Sequence, residues 1–270
     1  FSTWGSSMND MPYNRNSASK PGAMAPYWGA YTNYYCYDNT NLDCGVNYRV
    51  IPFEGKGTDI SADVTAPDPT IWDVAGSPYR INPSGAYLTI DTNLQIEPGT
   101  TIQVAAGKGI SFDGECDEFT AVGNATHHIR FEGQDGAEWK GLAFTDDCST
   151  STDDRHTLSY VDFANTSDAA IAAGSRHGSS PSSSENVGNF SMDHVTFSNV
   201  GSAFSHGSGQ GTVLTMNNFA VTDARESCFN FAQNTVATLT GTATSPSTMT
   251  RCNNNNLDWA GAIASSYDGL

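Results

Sequence analysis

Short apolar runs separated by Gly, Asn and Asp recur through the middle and the end of the chain. Apolar and polar residues alternate within each run, as in Leu94-Gln-Ile96, Thr101-Ile-Gln-Val104 and Ile129-Arg-Phe131. Alternation with a period of two over so few residues is typical of β-strands. Since no stretch carries the stripe of an amphipathic helix, the pattern predicts an all-β protein.

The runs also recur in register with one another. Leu158, Met192, Met216 and Leu239 begin similar segments, and the last three are spaced 24 and 23 residues apart. The longer step after Leu158 contains a Ser-rich insertion at about 174–187. A period near 24 with three short strands per copy predicts a right-handed parallel β-helix of about six coils, because a coil buries its inner face only when coils stack.

Polar residues mark the turns between the predicted strands. Asn165, Asn199 and Asp223 occupy the same position of the repeat, where side chains that tolerate left-handed backbone geometry favour a tight turn. From these boundaries we predict an irregular N-terminal cap or arm over 1–83, the β-helix over 84–256 and a C-terminal tail over 257–270.

Three segments resemble a known group of proteins. The runs Leu94–Val104, Glu138–Phe144 and Leu158–Phe163 are similar to coils of secreted right-handed β-helix repeat proteins of bacterial and archaeal surfaces. The resemblance covers about 84–256. It implies the β-helix fold and is compatible with surface proteins and adhesins, as well as with carbohydrate-active enzymes.

The six cysteines are even in number and contain no CxxC pair, which argues against a zinc ribbon or a thioredoxin-type site. Cys228 and Cys252 are one coil apart, and Cys116 and Cys148 each lie four residues after a Phe that ends a strand. Stacked strands are about 4.8 Å apart, which is within disulfide reach. The predicted pairs are therefore Cys116–Cys148 and Cys228–Cys252, which leaves Cys36–Cys44.

Charge and composition exclude several classes of protein. The chain has 12 Lys and Arg against 29 Asp and Glu, a formal net charge of −17, which argues against nucleic-acid binding. No run approaches the length of a membrane span. Paired cysteines and acidity predict an extracellular or cell-surface location. Because the sequence starts at Phe1, we expect a processed product or a fragment.

An acidic cluster is the candidate metal site. If Cys116 and Cys148 are joined, the carboxylates of Asp113, Glu115, Asp146 and Asp147 come close together. Such a group binds Ca²⁺ readily, since this cation prefers flexible oxygen ligands. A solvated acidic loop is the alternative. We predict that no cofactor is required, and structural calcium is a candidate ligand of this cluster.

Two further features concern glycans and partners. Asn-X-Ser/Thr sequons occur at Asn124, Asn165 and Asn189, no more often than the composition gives by chance. The segment 1–50 is rich in aromatic residues, which predicts either an arm that contacts a neighbouring subunit or a glycan, or a cap over the first coil. The predicted contact residues are Trp4, Tyr27, Trp28, Tyr31, Tyr34 and Tyr35.

No catalytic residues emerge from the motifs. Arg130, Arg225 and Arg251 are candidate bases for a β-helix polysaccharide lyase, but the spacing offers them no acidic partner one coil away. The six histidines are interpreted as turn or surface residues. A threonine ladder over 235–244 would make a regular hydroxyl face only if adjacent coils repeated it, and the preceding coil is expected to present Asn217-Asn218 instead.

These observations favour a structural role. We expect an extracellular subunit of a surface assembly, such as a filament, surface layer or adhesin, that self-associates through the β-helix ends and the N-terminal arm. The alternative is a β-helix protein that binds or cleaves polysaccharide as a lyase or hydrolase. A common fold does not choose between them.

Overall fold

The chain forms two compact units, Phe1–Gly57 and Thr58–Leu270. The computed structural model describes residues 57–113, 117–145, 155–174, 189–207, 212–231, 235–242 and 244–253, together with the backbone of four outlying strands. In the first unit, strands β1 (Tyr34–Cys36) and β2 (Val50–Pro52) pair antiparallel. The second unit is all-β and its strand pairs are parallel, which confirms the predicted fold class.

The strands of the second unit form three faces of a parallel β-helix. The first face contains β4 (Thr70–Trp72), β7 (Leu94–Ile96), β10 (Phe119–Val122), the first halves of β13 (Arg155–Ala164) and β15 (Asn189–Val200), β17 (Thr212–Asn217), β20 (Thr235–Thr240) and β23 (Tyr267–Asp268). The second face contains β3 (Thr58–Ile60), β5 (Tyr79–Ile81), β8 (Thr101–Val104), β11 (Ile129–Gly133), the second halves of β13 and β15, β18 (Ala220–Ala224) and β21 (Thr248–Thr250). The third face contains β6 (Tyr87–Ile90), β9 (Gly109–Phe112), β12 (Leu142–Phe144), β14 (Ala169–Ala173), β16 (Ser202–His206), β19 (Phe229–Phe231) and β22 (Leu257–Trp259). A 3-10 turn at Gln134–Gly136 follows β11.

The register of the coils follows the sequence repeat. Leu158 pairs with Met192, Met192 with Met216, and Met216 with Leu239. Taken in chain order, the described strands make seven coils with one strand on each face, from β4 to β22, where the repeat predicts about six. Parallel pairing begins before residue 84, since β3 pairs with β5 and β5 with β8. It also continues beyond 256, through β22 and β23.

The interior is a continuous column of apolar side chains. Phe131, Phe163 and Phe197 lie in register on three successive coils, and their rings stack at centroid distances of 5.0 and 5.3 Å. Phe112 stacks on Phe144 at 4.6 Å in the same way on the third face. This is the physical basis of the period in the sequence, because each coil offers its apolar residues to the coils above and below.

Two corners of the coil have left-handed backbone. Asn165, Asn199 and Asp223 have φ values of 61°, 51° and 60°, which confirms the turn predicted at this repeat position. Arg251 continues the row with φ 56°. At the corner between the first and second faces, Tyr160, His194 and Asn218 have φ values of 50°, 54° and 51°. Tyr160 and His194 turn the chain from the first to the second face inside β13 and β15, and Asn218 does so between β17 and β18.

One predicted disulfide lies within the described residues and is present. Cys228 and Cys252 are bonded, with their Cα atoms 5.4 Å apart. Phe112 and Phe144 are in register, as the predicted Cys116–Cys148 pair requires, but both of these cysteines lie outside the described residues. The same holds for Cys44 and for the side chain of Cys36, so these two pairs stay predictions.

Candidate functional site

The first face differs from the others in what it exposes to solvent. Among the described residues, the exposed large apolar side chains are Ile71, Val122, Val213 and Val236, at 51%, 40%, 40% and 43% exposure. They lie in β4, β10, β17 and β20, which are all strands of the first face. Val213 and Val236 pair on adjacent coils, and adjacent exposed apolar side chains are a feature of interaction surfaces.

A row of hydroxyl groups runs down the middle of the same face. Register aligns Thr120, Thr157, Ser191, Thr215 and Thr238 on five successive coils, and we call these residues the hydroxyl row. Each is partly or fully exposed and stands between two buried neighbours, so each side chain points outward. The row therefore repeats at the coil spacing of about 4.8 Å.

The hydroxyl row corrects the expectation for the threonine ladder. Thr238 pairs with Thr215, so the preceding coil does repeat the threonine. Thr235, in contrast, is buried and points into the column, where it pairs with the equally buried Thr212. The threonines over 235–244 therefore include residues that point inward and residues that point outward. The pairing between coils shows which are which.

Strands β17 and β20 of this face carry an uncharged surface. The outward residues of β17 and β20, which we call the β17–β20 patch, are Val213, Thr215, Asn217, Val236, Thr238 and Thr240. Thr240 donates a hydrogen bond to Asn217, which joins the two strands by their side chains. In a chain with a net charge of −17, such a patch is where a second acidic molecule approaches at least electrostatic cost.

On the second face, polar side chains contact one another between adjacent coils. Arg80 forms an ion pair with Asp59 at 3.6 Å, and Gln103 donates to Glu132 at 2.9 Å. On the third face, the outward residues Ser111 and Ala143 are themselves buried. The first face is therefore the described surface that is both exposed and partly apolar.

The corner between the first and second faces holds a group of titratable side chains. His128 contacts Asp162 (Nδ1 to Oδ2, 3.0 Å) and His194 contacts Asp193 (Nδ1 to Oδ2, 2.9 Å). The ring of Tyr160 packs against both imidazoles, with centroids 5.5 Å from His128 and 4.5 Å from His194.

Both carboxylates of this corner are also held by side chains of other coils. Thr196 donates to Asp162 at 2.6 Å, and the amide of Asn218 donates to Asp193 at 2.8 Å. The rings and carboxylates thus form a ladder along the coil axis. We interpret this ladder as a device that ties the coils together.

Two of the three candidate lyase bases, Arg225 and Arg251, have acidic partners. Arg251 forms an ion pair with Asp223, which lies one coil earlier at the same turn position. Arg225 contacts Glu138 at 2.9 Å and donates to Asn199 at 3.0 Å. The expectation that these arginines lack acidic partners one coil away was therefore wrong for Arg251. Both guanidinium groups are engaged in contacts between coils.

Two histidines are buried, where a turn or surface position was expected. His156 and His206 are 0% and 2% exposed. The two ring nitrogens of His206 lie 2.6 Å and 3.1 Å from the hydroxyls of Thr235 and Thr212. Burial disfavours the charged imidazolium and lowers the pKa of His206 to about 4. The ring of His156 packs 4.7 Å from that of Phe190, as a core residue.

A tyrosine in the first coil is perturbed in the opposite sense. Burial, which disfavours the phenolate, raises the pKa of Tyr79 to about 12. Its ring stacks on Trp72 with the centroids 5.0 Å apart, and its hydroxyl lies 3.0 Å from the backbone nitrogen of Asp73. Both perturbed groups therefore sit in the packed interior and away from the exposed face.

The predicted calcium site falls mostly outside the described residues. Asp113 is exposed and accepts a hydrogen bond from Thr145 at 2.7 Å, while Glu115, Asp146 and Asp147 are not described. Within the described ranges, no three His, Cys, Asp or Glu side chains are grouped as metal ligands. Calcium binding at this loop stays a prediction.

The predicted aromatic contact residues cannot be placed on a surface. Trp4, Tyr27, Trp28 and Tyr31 lie outside the described residues, and Tyr34 and Tyr35 are described only as backbone of β1. No helix in the described part of the chain is long and apolar enough to cross a membrane.

Comparisons with known proteins add no family to this picture. No protein-family model, no curated protein and no solved structure matches the chain.

Proposed function

We propose that the chain is an extracellular structural protein, a subunit of a surface assembly such as a filament, surface layer or adhesin. The single observation that carries the proposal is the concentration of exposed apolar side chains on one face of a regular solenoid. The ends and the N-terminal arm remain proposed contacts, and the first face is an additional one.

The dimensions of the first face suit contact with a second copy of the chain. The seven strands from β4 to β20 are stacked at about 4.8 Å, which gives a length of about 30 Å. Six residues along β17 or β20 span about 20 Å. A face of this size approaches the roughly 800 Å² that each partner contributes to a standard protein interface. Its outward residues stand on a hydrogen-bonded sheet whose backbone is already ordered. Binding would therefore cost little further conformational entropy.

Charge gives the proposal a testable dependence on salt. Two copies with a net charge of −17 each repel one another, while the β17–β20 patch is uncharged. Added salt screens this repulsion and also favours apolar burial. Association through the first face is therefore expected to strengthen with ionic strength, whereas association driven by ion pairs would weaken.

Electron microscopy of unconcentrated native material tests the proposal. We expect filaments or a lattice in which the solenoids run side by side or end to end. Isolated particles, both in low salt and in high salt, would overturn the structural function.

The hydroxyl row supports a second candidate function, polysaccharide binding. Five successive hydroxyls on a firm surface can form hydrogen bonds with an extended sugar chain lying along the coil axis. Binding to neutral and acidic polysaccharides, with and without Ca²⁺, should be measured for the native chain and for Thr215→Val combined with Thr238→Val. Binding that these substitutions weaken at least tenfold favours this candidate, while release of unsaturated or reducing products would show cleavage.

A further inference from the structure

We infer that Asn124 is the N-glycosylation site of this chain, and that the sequons at Asn165 and Asn189 are not modified in the folded protein. The inference rests on the extracellular location in the proposed function, because transfer of the glycan requires passage through a secretory compartment. It goes beyond that function by naming one acceptor and the structural reasons for it.

The sequon of Asn124 forms a fully exposed turn between β10 and β11. Asn124 and His127 exchange two backbone hydrogen bonds, at 3.2 and 3.0 Å, which places Ala125 and Thr126 at the tip. All four residues of the turn are exposed. A glycan attached here would extend into solvent without displacing any strand.

Side-chain contacts orient the carboxamide of Asn124. Its Oδ1 accepts hydrogen bonds from the Thr126 hydroxyl at 2.8 Å, from the Thr126 N–H at 3.1 Å and from the His127 N–H at 3.1 Å. These bonds hold the oxygen toward the turn, so the amide nitrogen lies on the opposite side of the planar group. The hydroxyl that defines the sequon thus directly contacts the amide that would be modified.

Asn165 is hydrogen-bonded at the corner between the second and third faces. Its Oδ1 accepts a hydrogen bond from the amide of Asn199 at 2.9 Å. Thr166, the next residue, is fully buried, and the hydroxyl of Ser167 donates to the carbonyl of Trp139 at 3.2 Å. The hydroxyl of Ser167 is therefore bonded to the Trp139 carbonyl and not to Asn165. Modification of Asn165 would have to break the hydrogen bonds at this corner.

Asn189 begins a strand inside the sheet. It pairs with Arg155 on one side and with Val213 on the other. Residues 189 and 191 lie two positions apart on an extended strand, which separates them by about 6.6 Å. The hydroxyl of Ser191 and the amide of Asn189 therefore stand apart, and the strand would have to leave the sheet to form a compact sequon.

The modification is a glycosyl transfer from a lipid-linked oligosaccharide. The amide nitrogen of Asn124 forms a bond with the anomeric carbon of the first sugar and loses one proton. The bond from that carbon to the lipid phosphate breaks, and the lipid phosphate leaves with the electron pair. No oxidant or reductant is needed, and the donor and the transferase are supplied by the secretory compartment.

The test uses the full chain secreted from a host whose transferase recognises Asn-X-Ser/Thr. The protein is treated with a peptide-N-glycosidase in ¹⁸O water, and peptides are analysed by mass spectrometry. We expect conversion of Asn124 to ¹⁸O-labelled Asp in most molecules, with Asn165 and Asn189 unconverted. An unmodified Asn124, or equal modification at either other sequon, would overturn the inference.

Matched variants separate modification from misfolding. Thr126→Ala should abolish the glycan, while Thr126→Ser should retain it. The control Ser191→Ala, at the exposed residue of another sequon, should leave the glycan mass unchanged. Thermal unfolding of each variant shows whether it folds. A chain that assembles without a glycan contradicts only this inference, and a glycosylated chain that never associates contradicts only the proposed function.

Discussion

Nδ1 of the His206 imidazole lies 2.6 Å from Oγ1 of Thr235, inside the apolar column. Both residues are buried, and they come from the third and the first face. With Thr212, they form a small polar group to which the fifth, sixth and seventh coils of the solenoid each contribute one residue. A neutral ring fits this position, whereas an imidazolium would be a buried charge without a carboxylate among these contacts.

This relationship predicts that the chain loses stability at mildly acidic pH. The pKa of His206 is about 4 when folded, against an ordinary value of 6.5, so between these pH values the unfolded chain binds more protons. The free energy of unfolding should therefore fall as pH drops from about 6.5 to about 4, by about 3 kcal/mol from this residue. Urea unfolding across this pH range measures the change.

The matched variants for the pH experiment are His206→Gln and His127→Gln. The first keeps a hydrogen-bonding side chain but cannot titrate, so its stability should vary less with pH than that of the native chain. The second removes an exposed imidazole and should leave the native profile unchanged. Identical profiles for the native chain and His206→Gln would contradict the role of the buried ring.

The disulfide between Cys228 and Cys252 should stabilise the last coils. It closes a segment of 24 residues, and a loop of this size predicts a loss of about 3 kcal/mol when the bond is removed. Cys228→Ala combined with Cys252→Ala should lower the unfolding midpoint without reductant. Equal midpoints for the variant and the oxidised native chain would show that this cross-link adds nothing to stability.

Gly141 is a position where the close approach of two coils requires glycine. It has φ 89°, and a Cβ atom there would collide with the backbone carbonyls of Ala169 and Ala170 in the next coil. Gly141→Ala should therefore lower the free energy of unfolding by at least about 2 kcal/mol. Gly107→Ala is the control, because Gly107 also has positive φ, at 68°, but has open space around its missing Cβ. Equal losses in the two variants would refute a collision between coils.

Much of the coil register was predictable, because the repeat is imposed by stacking. Leu158, Met192 and Met216 pair as their spacing indicates, since equivalent apolar residues must meet in the column. The first strands were not recognised as part of the solenoid. Segments such as Tyr79–Ile81 hold only three residues, too few to show the repeat by themselves, so their pairing with β8 reveals them.

The candidate face could not be read from the sequence in the same way. Whether a polar residue faces solvent or the column depends on the register of its coil, as Thr235 and Thr238 show by facing opposite ways. The buried site of His206 was missed for the same reason. His206 follows the buried Phe204 by two residues in the same strand, so the two side chains point to the same side of the sheet. This spacing was the signal in the sequence that places His206 in the interior.

Sedimentation velocity of the native chain, over a range of concentration and salt, tests the central claim most directly when it is paired with variants of the first face. The account predicts reversible association that salt strengthens and that Val213→Asp combined with Val236→Asp abolishes. Thr222→Asp combined with Thr250→Asp, which adds the same charge to the second face, should associate nearly as the native chain does. A native chain that stays monomeric, or equal losses in the two double variants, would contradict association through the first face.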